Sequence, residues 1–177
     1  MTSGLQDVID RAAVTSGQRW ILSLLAVAGA VVASVVTVVA AGGGPVMPVI
    51  VAVVAIAAVL RPDSHVALAT IVLVLVHWVI GVDDVTTPLS FAVAAALGAF
   101  HVLVALLAVT PPTVTVDAGV LSRWARRSVL AIAPAGWTWL TVVVLAEREA
   151  PGNVALTALA LATLAAAVVG MRLRTGE

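Results

Sequence analysis

Two histidines within neighbouring apolar runs are the side chains of this sequence best suited to chemistry. An imidazole exchanges protons near neutral pH, and an ionisable group inside an apolar helix marks either a transport path or a packing hydrogen bond. His77 lies six residues before Asp83, and His101 lies 13 residues after Pro88. At about 1.5 Å per helical residue, their depths differ by roughly 10 Å, which argues against one shared metal ion. A water-linked proton path and simple helix packing remain as alternatives, and packing is the preferred interpretation.

Trp137 is the third side chain that a path through the protein could use. It follows Pro134 and Gly136, which predict a kink that could act as a gate, inside an apolar run that begins at Val129. Its predicted depth is about 12 Å, below the usual aromatic belt. A tryptophan at that depth lines a cavity or packs against another helix, and packing is again the preferred interpretation.

The segment 117–128 has the clearest amphipathic pattern in the chain. At 100° per residue, Arg123, Arg126 and Arg127 fall on one arc of a helix, and Trp124 falls on the other. This pattern predicts a short interfacial helix whose arginines contact anionic lipid headgroups. Two alternatives are a loop whose charge only sets the topology and a docking surface for a cytoplasmic partner.

The remaining polar residues carry no recognisable catalytic, metal-binding or nucleotide-binding motif. Cysteine is absent, and neither Gly-x-Ser-x-Gly nor His-Glu-x-x-His occurs. The net charge is zero, which gives no basis for nucleic-acid binding. His65, beside Asp63, is interpreted as a solvated residue at the start of a helix. We therefore expect no catalytic, cofactor-binding or metal-binding residues, and no enzyme.

The elements that must position these residues are apolar helices. Of the 177 residues, 62% are hydrophobic and 10% charged, and the mean hydropathy is +1.19, which predicts an all-α integral membrane protein. A single membrane domain, 1–177, with six spans and short loops is expected. The predicted spans are 20–41, 45–60, 66–82, 88–109, 129–146 and 153–171.

Glycine, proline and capping residues agree with these boundaries. Gly42, Gly43 and Gly44 predict a tight hairpin before the second span, and Ser64 and Thr87 are expected to cap the third and fourth. Small residues recur at every fourth position along three spans, a pattern that allows close helix packing. They are Gly29, Ala33 and Thr37 in the first span, Ser90, Ala94 and Gly98 in the fourth, and Ala158, Ala162, Ala166 and Gly170 in the sixth.

The distribution of arginine predicts the orientation. With the N-terminus in the cytoplasm, six spans place eight of the nine arginines on the inner side and only Arg148 outside. Both termini are therefore predicted to be cytoplasmic. The exclusive use of arginine, together with the excess of alanine and valine, is typical of a GC-rich genome, and a bacterial cytoplasmic (inner) membrane is the expected location.

Two functions fit these observations. The first is a non-enzymatic accessory or assembly component of a larger membrane system, which acts through its helix faces and basic segment. The alternative is a small channel or carrier that uses His101 and His77. The expected partners are the lipid bilayer, anionic lipid headgroups and either a membrane-protein partner or a second copy of the chain.

Overall fold

The computed structural model of the protein describes residues 15–84 and 86–146. The predicted sixth span, 153–171, and the C-terminus lie outside the described residues. The described part is helical and contains no strand. Its helices are α1 (Gly17–Ala41), α2 (Val46–Leu60), α3 (Val66–Gly81), α4 (Pro88–Val109) and α5 (Ala118–Ala146).

Three of these helices are long and apolar enough to cross a membrane. They are α1, α4 and the part of α5 from Ala118 to Val144. The other two, α2 and α3, are strongly apolar but have only 15 and 16 residues. The first four predicted spans coincide with α1 to α4 to within three residues at each end.

Local sequence explains where α1 ends and where α4 begins. Gly42 ends α1 in a left-handed conformation with φ of 69°, which glycine adopts without a Cβ penalty, and its N–H donates to the Val38 carbonyl. Thr87 caps α4 by accepting a hydrogen bond from the Leu89 N–H, and Pro88 occupies the first turn. The predicted hairpin and the predicted Thr87 cap are both confirmed.

The start of α3 differs from the prediction in one detail. His65, not Ser64, is the capping position, and its side chain makes no capping hydrogen bond. The Ser64 hydroxyl donates to the Arg61 carbonyl at 2.6 Å and accepts from the Val66 N–H at 3.4 Å. Ser64 therefore stabilises the turn between α2 and α3 from one position earlier than expected.

The structure has one continuous helix, α5, where the sequence predicted an interfacial helix separate from the fifth span. It is one element of 29 residues, and it continues through both Val129 and Pro134. No glycine or proline occurs between Gly119 and Pro134 to end a helix. The Ser128 hydroxyl donates to the Trp124 carbonyl within the helix at 2.7 Å, so it does not cap a new one. The prediction of a separate short helix over 117–128 was wrong.

Helix α1 is the centre of the bundle. It contacts α2, α3 and α4, and its most extensive contact is with α4. Ala26, Ala30 and Ala33 are fully buried along this face, and a Cβ on Gly29 would lie only 3.2 Å from the Ala96 carbonyl oxygen of α4. Small side chains thus allow the two backbones to approach closely, as the spacing in the first span predicted.

Helices α3 and α4 are consecutive, yet they pack only sparsely on each other, and each contacts α1 more extensively. Helix α5 joins the bundle through α4.

Candidate functional site

His101 lies in an open groove between the N-terminal half of α3 and the C-terminal half of α4. The groove has a volume of about 290 Å³ and includes His65 and Ile71 of α3 with Val104 and Ala105 of α4. The side chains of His65 and His101 are both exposed. The structure therefore brings His101 into one groove with His65, a pairing that the sequence interpretation missed.

His77 lies in a different environment, at the other end of α3. Its side chain is half-buried, and its Nδ1 atom is buried without a hydrogen-bond partner among the described residues. A Cβ placed on Gly43 would lie 3.8 Å from His77 Nε2, so the imidazole packs against the turn after α1. At the same end of the bundle, a Cβ on Gly81 would lie 2.7 Å from the Ala41 Cβ, which marks a very close approach of α1 and α3.

His77 and His101 do not share a site. The groove that contains His101 extends along α3 only as far as Ile71. Six further residues, about 9 Å of helix, separate Ile71 from His77. A chemical role for either histidine must therefore rest on its own surroundings.

Trp139 attaches α5 to the start of α4. Its indole Nε1 donates to the carbonyl oxygens of Thr86 and Thr87 at 3.1 and 3.2 Å. Its ring lies against Phe91, with a centroid separation of 6.1 Å. The sequence pattern indicated Trp137, whereas in the structure Trp139 makes this contact.

Two further contacts continue this packing along α4. A Cβ on Gly136 would lie 3.0 Å from the Phe91 ring, and a Cβ on Gly98 would lie 3.5 Å from the Ile132 side chain. Contacts thus move backward along α5 as they move forward along α4, so the two helices run antiparallel.

Trp137 does not occupy a cavity among the described residues. Its side chain is 70% exposed. It lies two residues, about 3 Å, from Trp139, which contacts the first turn of α4. Relative to α4, Trp137 is therefore near one end of the bundle, not in its middle.

The basic face of α5 consists of Arg123, Arg126 and Arg127, and all three side chains are exposed. At 100° per residue these arginines project 120° to 180° away from Ile132, so they face away from α4. Trp124, beside them, is half-buried. They form no ion pair within 15–84 and 86–146.

The basic face lies alongside the bundle and not beyond its end. Arg126 is 13 residues before Trp139, which is at most about 20 Å along the axis of α4. Helix α4 has 22 residues and extends for about 33 Å. The three arginines are therefore attached beside the C-terminal part of α4 and short of its end, whereas the sequence placed them in a loop beyond the spans.

A polar clamp that the sequence did not indicate joins the start of α1 to the end of α4. Arg19 Nη1 donates to the carbonyl oxygens of Leu107 and Thr110 at 3.2 and 2.6 Å. The Gln18 amide exchanges two hydrogen bonds with the Val116 backbone, at 3.0 and 2.6 Å. Arginine at a helix C-terminus satisfies carbonyl groups that have no partner within the helix. The only signal in the sequence is the position of both residues in the first turn of α1.

One acidic residue outside the predicted spans has a shifted pKa. The Thr86 hydroxyl and the Thr86 backbone N–H both donate to Asp84 Oδ1, at 2.6 and 2.8 Å. These bonds favour the carboxylate and lower the pKa of Asp84 below its usual value. Asp84 is fully exposed, so it acts as a turn residue before α4.

The part of the chain that the structure describes contains no group of three or more histidine, aspartate or glutamate side chains that could hold a metal ion. No protein-family model, no curated protein and no solved structure matches the chain. The groove, the basic face and the polar clamp are therefore the features of this protein that bear on its function.

Proposed function

We propose that the protein is a six-span component of a bacterial cytoplasmic membrane, with both termini in the cytoplasm. The apolar lengths of α1, α4 and α5 and the shorter apolar helices α2 and α3 support five of these spans. The run 153–171 supplies the sixth. The distribution of arginine supports the orientation.

Within that membrane, the protein acts as a non-enzymatic accessory or assembly component that docks another membrane protein. The observation that carries this proposal is the basic face. Three guanidinium groups point away from the bundle, at the height of the inner half of α4, and find no acid among the described residues. A charged side chain at that height costs a few kcal/mol in contact with hydrocarbon, and an acidic partner or a headgroup reached by snorkelling removes this cost.

A stoichiometric pull-down tests the proposal. The tagged full-length protein is purified from native membranes in mild detergent, and the co-eluting proteins are identified by mass spectrometry. We expect one recurring partner with the wild-type chain and its loss with the triple variant R123Q/R126Q/R127Q.

The charge-preserving triple variant R123K/R126K/R127K is the matched control. It should retain the partner, because a docking surface that recognises acidic groups needs positive charge more than the planar guanidinium. A lone monomer or homo-oligomer from wild-type membranes would contradict the proposal. Retention of the partner by the glutamine variant would contradict the role of the basic face.

A small channel or carrier is the second candidate, and the exposure of His101 in the α3–α4 groove favours it. Purified protein in proteoliposomes would be assayed for proton and small-ion flux. A carrier that uses this imidazole should lose flux in H101A while its unfolding temperature changes little, and H77A serves as the matched control in a separate environment. Absence of flux from wild-type protein would eliminate this candidate.

A further inference from the structure

Helix α3 begins deeper in the bundle than α1 does. A Cβ on Gly81 would lie 2.7 Å from the Ala41 Cβ, which sets these parallel helices side by side at that end. His65 is 16 residues before Gly81, and Leu25 is 16 residues before Ala41, so the start of α3 lies at the height of Leu25. Arg19 is six residues earlier, so the turn before α3 is about 9 Å short of the clamp that joins α1 to α4.

The short lengths of α2 and α3 produce this recess. Helix α2 has 15 residues and α3 has 16, so they extend for about 22 and 24 Å, whereas the hydrocarbon core of a bilayer is about 30 Å thick. A bilayer adapts to a short apolar segment by becoming thinner beside it. Lipid headgroups are therefore drawn inward at the turn between α2 and α3.

The groove between α3 and α4 lies at the height of this turn and combines polar with apolar walls. His65 and His101 line it and are both exposed, and none of the described residues that line it is acidic. Leu68 and Ile71 continue the groove along α3, about one and two turns deeper. The polar part fits a group that accepts hydrogen bonds, and the apolar part fits a hydrocarbon chain that leads toward the centre of the membrane.

The two kinds of wall select the occupant. Hydrocarbon alone would give neither imidazole a hydrogen-bond partner inside the membrane, which is costly. A soluble anion would leave the apolar wall in water. Arg61 and Asp63, the charged residues of the turn, have opposite charges and lie outside the lining, so together they add no net charge. A phospholipid supplies both a phosphodiester and acyl chains.

We propose that the α3–α4 groove binds a phospholipid of the leaflet beside the start of α3, which is the cytoplasmic leaflet in the proposed orientation. The phosphate accepts hydrogen bonds from the imidazoles of His65 and His101, and one acyl chain lies along Leu68 and Ile71. A phosphate is an anionic acceptor, so these hydrogen bonds are stronger than those between neutral groups. His101 is thereby a lipid-binding residue.

This inference goes beyond the proposed function, because it concerns the α3–α4 groove and not the basic face of α5. It rests on the proposed function only for the membrane location and the orientation. The two proposals can fail separately, since the pull-down reports a protein partner and depends on the arginines, whereas lipid binding in the groove depends on the histidines.

Solid-state NMR of the full-length protein in phosphatidylglycerol bilayers tests the site directly. The chain has three histidines, so nitrogen-15 labelling of histidine gives imidazole signals from His65, His77 and His101 alone, and single alanine variants assign them. Lipid phosphorus attenuates the signal of an imidazole nitrogen that it contacts. We expect attenuation for His65 and His101 and none for His77, which packs against the turn after α1. Attenuation confined to His77, or absent from all three, would overturn the inference.

Lipid affinity measured by native mass spectrometry shows whether the phosphate is recognised. Dioleoyl phosphatidylglycerol is compared with dioleoylglycerol, which has the same chains and no phosphate. We expect the wild type to bind the phospholipid at least about tenfold more tightly, as for one hydrogen bond to a charged group, and H65A/H101A to lose this preference. H77A is the matched control and should keep it.

Equal binding of the two lipids by the wild type would contradict a phosphate site. Displacement of the phospholipid by inorganic phosphate would show that the ligand is a soluble anion. If H65A/H101A does not fold, A105W replaces it, because Ala105 lines the groove and a tryptophan there fills it without changing either imidazole. A105W should also lower the affinity for phosphatidylglycerol by about tenfold, and an unchanged affinity would place the lipid elsewhere.

Discussion

Replacing Arg19 by methionine removes the arginine part of the polar clamp between α1 and α4, keeps a side chain of similar length, and leaves the Gln18–Val116 hydrogen bonds in place. In the structure, one guanidinium nitrogen donates to the carbonyl oxygens of Leu107 and Thr110. Leu107 lies in the last turn of α4 and Thr110 is its C-cap, so neither carbonyl accepts a hydrogen bond from the backbone of the helix. The R19M variant leaves them without this donor.

The expected destabilisation follows from these two bonds. A hydrogen bond to a charged group contributes about 1.5–3 kcal/mol. Both bonds here come from one nitrogen of a half-buried group, so solvent screening and shared geometry reduce their sum. We expect R19M to lower the free energy of unfolding by about 2 kcal/mol, which lies within the range for one charged hydrogen bond.

Thermal unfolding of the full-length protein in mild detergent is the assay. For a chain of this length, about 2 kcal/mol corresponds to a decrease of roughly 4–8 °C in the unfolding midpoint. R61M removes the same charge from an exposed site in the turn before α3 and should change the midpoint by less than about 2 °C. R19K keeps the charge but loses the planar fork, so it should fall between the wild type and R19M.

Equal midpoints for R19M and R61M would refute the reasoning, because the clamp would then contribute no more than an exposed charge. A decrease for R19K as large as that for R19M would show that guanidinium geometry is the whole effect. Full rescue by R19K would show that charge alone suffices.

Three further changes test other contacts. G81A should destabilise the bundle by about 1–3 kcal/mol through overpacking against Ala41, and the double variant G81A/A41G should recover most of the loss in the same thermal assay. W139F removes the indole donor to the start of α4 and should cost about 1 kcal/mol, whereas W137F, at an exposed site, should leave the unfolding midpoint unchanged. The lowered pKa of Asp84 stabilises the folded state above the unfolded pKa of about 3.9, and this contribution disappears as the pH falls through the lower folded pKa. A pH titration of the Asp84 carboxyl by NMR should therefore show a midpoint below that of a model peptide, and an ordinary midpoint would contradict the hydrogen bonds to it.

The sequence predicted the elements well where local chemistry decides them. Apolar runs set the extents of α1 to α4, since a helix satisfies its own backbone in an apolar environment. Gly42 and Thr87 mark boundaries that depend only on the conformations and hydrogen bonds of neighbouring residues. The small residues around Gly29 also predicted a close contact, because a helix face without side-chain bulk permits the approach of a second backbone.

The sequence misplaced features whose position depends on how one helix slides past another. It treated 117–128 as a separate helix in a loop, whereas the contacts of Trp139 and Gly136 with α4 fix the position of α5 and draw the arginines alongside the bundle. Helix periodicity gives the face of a residue but not its height relative to a neighbouring helix. The same limit explains why Trp137 was expected deep in the protein while the structure exposes it near the start of α4.

The sequence by itself determined that the protein is helical and strongly apolar, together with the extents of the first four helices and the turns between them, because each depends on hydrophobicity and backbone preferences within a few residues. Only the tertiary structure decided that His101 lies in a groove with His65, that His77 packs apart from it, and that Arg19 holds the end of α4. These relations join residues between 34 and 91 positions apart, and they arise from side-chain packing between helices, which no local pattern encodes.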